Sequence, residues 1–369
     1  MPGPNTTGHS GNLIFYPAEM RCPTLTELPP PPAGKTGWPW TTETLASAEK
    51  MPDGSDWVRI SIATPSYNQA AYIEETIRAV LLQGYQNLEY IISEDCSTDN
   101  TMEIVRSYQP WLRVVTAAQN GGMSKAINRA WSGATGEIVT WISSDDVYLP
   151  GALQCIAMAY RRNPSAGEIV GAFEFIDATS QRTSAAIPPR LPQGSPVDLS
   201  LQDPESWRLH QVSTFFTRRA LDQVGFYVRE DLKHNMDREI LYRVCRSFPI
   251  ALVGQPLACF RTHANSKSWS VANMVNMSEE YSRIQAIFYS GNVREDNRRR
   301  QVAAQFRAKG HLKFSKYTTE KTAGFKALMT ALWLSPRLAF SRSFVEAGLN
   351  LCGMLPIARQ WFGRLRHSA

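Results

Sequence analysis

From Trp57 onward, short apolar runs alternate with amphipathic stretches. VRISIAT (58–64) reads as a strand, and Tyr72 to Gln83 follows with Ile73, Ile77, Val80 and Leu81 at helical spacing and Gly84 as its stop. The pattern then repeats as LEYIIS (88–93), a helix from about Asp99 to Tyr108, LRVVTA (112–117), a helix around Ser124 to Trp131, and EIVTWI (137–142). Such repetition predicts right-handed βαβ units, and so an α/β fold with a mostly parallel, Rossmann-like sheet covered by helices on both faces. Ligands of such sheets bind outside the carboxyl ends of the strands, so the loops that follow the strands are where chemistry is expected.

Beyond Pro150 the alternation breaks. GEIVGAFEFID (167–177) predicts a strand, residues 177–200 a loop rich in Pro, Ser and Thr, and residues 210–225, 236–248 and 257–263 a mixed strand and helix region. After about residue 270 the pattern is helical. Residues 1–55 lack periodic apolar positions and carry the run Pro29 to Pro32 followed by GWPW, which predicts an extended arm with a polyproline segment. The expected organisation is therefore an arm (1–55), a catalytic domain (56–270, divided at residue 150) and a basic helical C-terminal region (271–369). AGKTG (33–37) is not a phosphate-binding loop, because the required first glycine is replaced by Pro29 and no strand precedes it.

A chain of 369 residues exceeds one ordinary core. With 43% hydrophobic and 20% charged residues it has the composition of a globular protein. No run approaches the ~18 apolar residues that a membrane span needs, and the N-terminus lacks the basic and apolar regions of a signal peptide, which together imply a cytoplasmic location. The six cysteines are scattered singly, without metal-ligand or disulfide-framework spacing. Net charge is +6, but residues 271–369 hold 16 Lys and Arg against 6 Asp and Glu, so the tail carries about +10 and the remainder about −4. That tail is expected either to pack on the catalytic domain or to lie on an anionic membrane surface through Trp333, Leu334, Leu338 and Phe340 beside Arg337 and Arg342. No groove-reading or base-stacking motif accompanies the charge, which argues against nucleic acid.

Within WISSDDVYLP (141–150) two carboxylates, Asp145 and Asp146, end an apolar strand. Adjacent like charges at the edge of a core are unfavourable unless water or a cation solvates them. Taken alone, the pair is better read as a solvated turn, and Asp95 alone as a loop-solvated or helix-capping acid. Four loops, however, bring polar groups to one rim in sequence order: TPSYN (64–68), SEDCSTD (93–99), QNGGMSKAIN (119–128) and SSDD (143–146). Over about 95 residues this order resembles the nucleotide-sugar half of a family 2 glycosyltransferase with the A-type (GT-A) fold, and the resemblance continues more loosely through HQ (210–211), FFTRRALDQVGFY (215–227), MDREILYR (236–243) and FRTHANSKS (260–268).

The resemblance implies that Pro65 and Tyr67 line a nucleoside pocket, with Asp95 accepting from the base and Glu94 beside it. Gly121 and Gly122 would allow close backbone approach, and Lys125 and Arg261 would sit near the diphosphate. Asp146 would bind Mn2+ or Mg2+, with Asp145 on the ribose or metal waters and His263 as a further metal or phosphate contact. Asp237 would be the general base, although the family often writes Glu-Asp where this chain has Met236-Asp237. His210 and Gln211 would line the acceptor pocket, while Ser97 and Asp99 are expected to cap. The implied reaction is inverting, metal-dependent, non-processive transfer from a nucleoside diphosphate sugar, with a UDP-sugar favoured, to a hydroxyl of a glycan, lipid-linked or small acceptor. Alternatives are sugar-phosphate nucleotidyl transfer, which would call for a glycine-rich G-x-G-T-R-like loop where TPSYNQ stands, and a non-catalytic nucleotide or glycan binder.

Overall fold

The computed structural model describes residues 21–192, 198–202, 206–264 and 271–352. They fall into two compact units, one running up to Val197 and resuming at Trp207–Arg261, the other formed by Asp198–Ser206 and the chain from Thr262 onward.

In the first unit the alternation predicted from residue 57 onward is present as β1 (Ile60–Ser66), α1 (Ile73–Leu81), β2 (Leu88–Glu94), α2 (Thr101–Ser107), β3 (Arg113–Thr116), α3 (Met123–Trp131) and β4 (Ile138–Trp141). There follow β5 (Val147–Tyr148), α4 (Ala152–Arg162), β6 (Glu168–Ile176), β7 (Thr214–Thr217), α5 (Arg218–Val224), α6 (Met236–Cys245) and β8 (Ile250–Arg261). The eight strands form one sheet in the order β3-β2-β1-β4-β7-β6-β8-β5. Its first four are parallel, with Ile60 opposite both Leu88 and Ile138, so β1, β2 and β4 end at one rim. The later strands make it mixed: β7 runs antiparallel to β4 and β6, β5 antiparallel to β8, and only β6 and β8 are again parallel.

Every residue of β1 and β2 is buried, as expected for central strands covered on both faces. Helix α1 packs Ile73, Ile77, Val80 and Leu81 onto them. Its opposite side buries Arg78, whose guanidinium donates to the carbonyls of Pro29 (2.9 Å), Pro39 (3.1 Å) and Trp40 (3.0 Å). Trp38 Nε1 donates to Tyr148 O at 2.8 Å. The Trp38 indole and the buried Arg78 cation thus fasten the arm from residue 21 onward; its first 20 residues lie outside the described ones. Gly84 ends the helical stretch at φ +61°, and a Cβ there would stand 2.5 Å from Leu45 O, so close passage of the arm requires glycine.

The second unit contains α7 (Val271–Ile287), α8 (Val293–Tyr317), α9 (Lys321–Leu334) and α10 (Arg342–Leu351). Leu312, Leu328, Ala331 and Ala347 form the centre of the α8–α10 packing. The short Asp198–Ser206 segment joins this unit through Arg299, which is fully buried and pairs with Asp198 at 2.9 Å. Among the described residues no helix is long and apolar enough to cross a membrane.

Candidate functional site

The loops after β1 and β2 are knit together by short polar side chains. Asn68, at φ +52°, accepts from Thr98 N, while its own N–H donates to Ser97 Oγ; Ala70 N donates to Asp99 Oδ2. Asp99 also accepts from Thr101 N, but the N-cap of α2 is Asn100, so Asp99 and Ser97, both expected to cap, instead tie the β2 loop to the β1 loop. Pro65 is buried inside β1, whereas Tyr67 projects from the rim with 42% of its surface exposed. Glu94 accepts from the N–H groups of Cys96 and Ser97 and so shapes the turn that follows β2.

Asp95 is buried and already engaged. Its Oδ2 accepts from Gly121 N (2.8 Å) and Gly122 N (2.7 Å), and its Oδ1 pairs with Arg129 Nη2 (3.0 Å). Three protein donors on a carboxylate with about four acceptor sites leave room for one more. Asp95 therefore holds the turn that starts α3, and Gly122 adopts φ +87° to make that turn. A Cβ on Gly121 would lie 3.0 Å from Lys125 Cδ, so the stem of the exposed Lys125 runs over this glycine. Arg129 also donates to Ser93 Oγ. No motif in the sequence marks it, because its partners lie 34 and 36 positions away.

Asp146 is buried and Asp145 half-buried at the end of β4. Loss of hydration, then the neighbouring Asp145 charge, hold the Asp146 carboxyl well above the usual carboxylate range, against the stabilising N–H of Arg261, which donates to Oδ1 at 2.9 Å. Arg261 itself does not face a diphosphate as expected. It is 1% exposed, and its guanidinium donates to Asp145 O (2.6 Å), Asp177 O (3.1 Å) and Ser180 Oγ (2.8 Å) and pairs with Glu75 at 2.9 Å. A planar fork with five donors suits four acceptors from three segments, which is why this position is a buried staple. Thr76 Oγ1 fastens the same loop from α1 by donating to Asp146 O.

A divalent cation suits this pair on electrostatic grounds, since it would relieve two crowded, poorly hydrated carboxylates. Among the described residues no three His, Cys, Asp or Glu side chains converge as a metal cage, so phosphate and water oxygens would have to complete the shell. His263, expected as a further ligand, lies two residues past β8 in the second unit, and among the described residues no such cage includes it.

Asp237 lies on the first turn of α6 and lines a cavity of about 30 Å³ with Trp207, Leu209, Gln211, Thr214, Phe216, Arg238 and Leu241. Gln211 Nε2 donates to Trp141 O at 2.6 Å, which ties the cavity wall to the end of β4, four residues before Asp145. The Arg238 guanidinium lies over the Trp207 ring at 4.9 Å, and the buried Trp207 Nε1–H has no hydrogen-bond partner among the described residues. Sequence reasoning gave no role to Trp207, which lies outside the quoted motifs, or to Arg238, which lies inside MDREILYR beside Asp237; the two come together only through folding. His210, expected beside Gln211 in this pocket, is not on its wall. Its ring packs between Phe173 (4.4 Å) and Phe260 (4.7 Å), Nδ1 accepts from Val212 N, and burial followed by the Arg238 charge pushes its pKa down to about 4.

Comparison with known proteins agrees with this architecture. Residues 61–225 match the family model "Glycosyl transferase family 2". An uncharacterized glycosyltransferase of Rickettsia conorii is 27% identical over 217 residues, 58% of this chain and 36% of that protein. The putative teichuronic acid biosynthesis glycosyltransferase TuaG of Bacillus subtilis is 39% identical over 98 residues, 26% of this chain and 39% of that protein. The chain thus spans little more than a third of the length of these two relatives. Among solved structures, S. aureus TarS 1-349 in complex with UDP-GlcNAc matches with a TM-score of 0.57 at 19% identity, covering 82% of this chain and 92% of that one.

Proposed function

We propose, from the match of residues 61–225 to glycosyl transferase family 2 and the likeness of the fold to that of TarS, that the protein transfers a single sugar from a nucleoside diphosphate sugar to an acceptor hydroxyl with inversion. The observation that carries the reading is the cavity that Asp237 lines together with Gln211 and Trp207, tied through Gln211 to the last residue of β4, the strand that Asp145 and Asp146 follow.

In this mechanism the acceptor oxygen attacks the anomeric carbon, the bond to the diphosphate breaks with its electron pair, and the acceptor proton passes to Asp237. Trp207 Nε1–H, a buried donor without a partner among the described residues, supplies a hydrogen bond to the acceptor. A water needs ~10–15 Å³, so a cavity of about 30 Å³ admits a hydroxyl or hydroxymethyl group and leaves the rest of the acceptor outside. Tyr67 supplies a face for the nucleoside, and the remaining acceptor site of Asp95 takes a donor from the base. Lys125, its stem over Gly121, reaches the diphosphate. A Mg2+ or Mn2+ ion held by Asp146 and Asp145 would neutralise charge on the leaving diphosphate.

Support for a UDP-sugar donor comes from TarS, which was solved with UDP-GlcNAc. Support for a glycan-polymer acceptor comes from TuaG, named for teichuronic acid biosynthesis. Asp237→Asn should retain donor binding, read as a thermal shift, and lose transfer by at least about 100-fold, the usual scale of general-base catalysis. Transfer near the wild-type rate by the folded variant would refute the assignment.

A further inference from the structure

Helix α9 is built inside out. Its buried positions are Gly324, Ala327, Leu328 and Ala331. Its large residues Phe325, Met329 and Trp333, spaced four apart and so on one face, are 59%, 50% and 81% exposed. The inner face is mostly small where it packs closely: a Cβ on Gly324 would stand 2.5 Å from Leu351 Cδ2 and 2.8 Å from Thr318 Cγ2. With Lys326 and Thr330 the large residues line a shallow groove of about 440 Å³. An amphipathic helix normally turns its large apolar side chains inward. Among the described residues the α8–α10 core is made by Leu312, Leu328, Ala331 and Ala347 without them, and an exposed apolar stripe of this size calls for something to cover it.

Charge selects the occupant. Residues 321–341 contain Lys321, Lys326 and Arg337 and no Asp or Glu. A second copy of this chain would set the same cations, in a region of 16 Lys and Arg against 6 Asp and Glu, against each other. An anionic lipid surface takes both components at once: apolar side chains enter the acyl boundary, tryptophan sits at the headgroup level, and Lys and Arg meet the lipid phosphates. We infer that the Phe325–Met329–Trp333 face of α9 is a peripheral docking surface for anionic membrane. The inference rests on α9 and its neighbours alone and stands apart from the assignment of the reaction.

The test is co-sedimentation of the full chain with phosphatidylcholine vesicles, with and without phosphatidylglycerol. Wild type should bind only the anionic vesicles, less as salt rises. Phe325→Ser/Trp333→Ser should lower binding by about tenfold or more, with circular dichroism and transfer to a soluble acceptor unchanged. Failure of wild type to bind anionic vesicles would overturn the inference. So would equal binding by the double variant, which would put the contact elsewhere. A wild-type dimer that this variant makes monomeric would also overturn it, by identifying a second copy as the occupant.

Discussion

At Asp146 the chain keeps a carboxylate where burial and Asp145 both oppose its charge. Asparagine would preserve an oxygen acceptor for Arg261 N–H while removing the charge. Asp146→Asn is therefore expected to melt no lower than wild type, and higher by about 1 kcal/mol of stability, yet to lose the thermal shift produced by a UDP-sugar with Mn2+. A destabilised variant that still shows the shift would contradict both halves. His210 gives a pH dependence of opposite origin. Its folded pKa, down to about 4, lies below the ordinary value of 6.5. Between these values the unfolded chain binds the extra proton, so stability is present above about pH 6.5 and is lost as pH falls toward 4. The shift corresponds to at most about 3 kcal/mol, and less with solvent near a half-buried ring. The difference in unfolding free energy between wild type and His210→Phe should change across this window; a constant difference would exclude the effect.

Arg261 shows how elements, rather than motifs, build the site. It ends β8 and joins the loop after β4, the first turn of α1 through Glu75, and the Asp177–Ser180 turn after β6. Arg261→Met should cost about 3 kcal/mol or more in urea unfolding, because Glu75 is left buried with only part of its partners. It should also weaken donor binding by letting the Asp145–Asp146 loop move; an unchanged midpoint with unchanged donor affinity would show the staple to be idle. Its sequence context, FRTH, reads equally as a ligand-facing arginine. A charged side chain beside a candidate site looks the same in sequence whether it faces outward or is spent on carbonyls inward. In contrast, the α1–β4 alternation was legible because each run is periodic over its own length, and periodicity is a local property.

For the whole molecule, the units do not follow the chain in order. Asp198–Ser206 lies within the sequence of the first unit but packs in the second, where Leu199 is fully buried and Asp198 pairs with Arg299. Truncation after Arg261 should therefore not yield a clean catalytic domain. It would expose Leu199 and remove the partner of Asp198. Trypsin should cut the truncated chain at Arg190 and Arg208, which flank this segment, under conditions that leave the full chain intact there. Equal resistance of the two would mean that the segment is held without the second unit.

The sequence by itself determined the βαβ half of the sheet, the order of the rim loops and the two carboxylates after β4, since strand and helix periods and loop placement are written locally along the chain. It also located the basic, helical tail. Only the tertiary structure decided which polar side chains are free to act. Asp95 is largely occupied by Gly121, Gly122 and Arg129; Arg261 is turned inward; His210 is packed between two phenylalanines; and Trp207 with Arg238 joins Asp237 and Gln211 around one cavity. Likewise, the choice of Phe325, Met329 and Trp333 as the outer face of α9 depends on how small residues seat it against its neighbours. Each of these outcomes depends on burial and on partners distant in sequence, and a one-dimensional pattern carries neither.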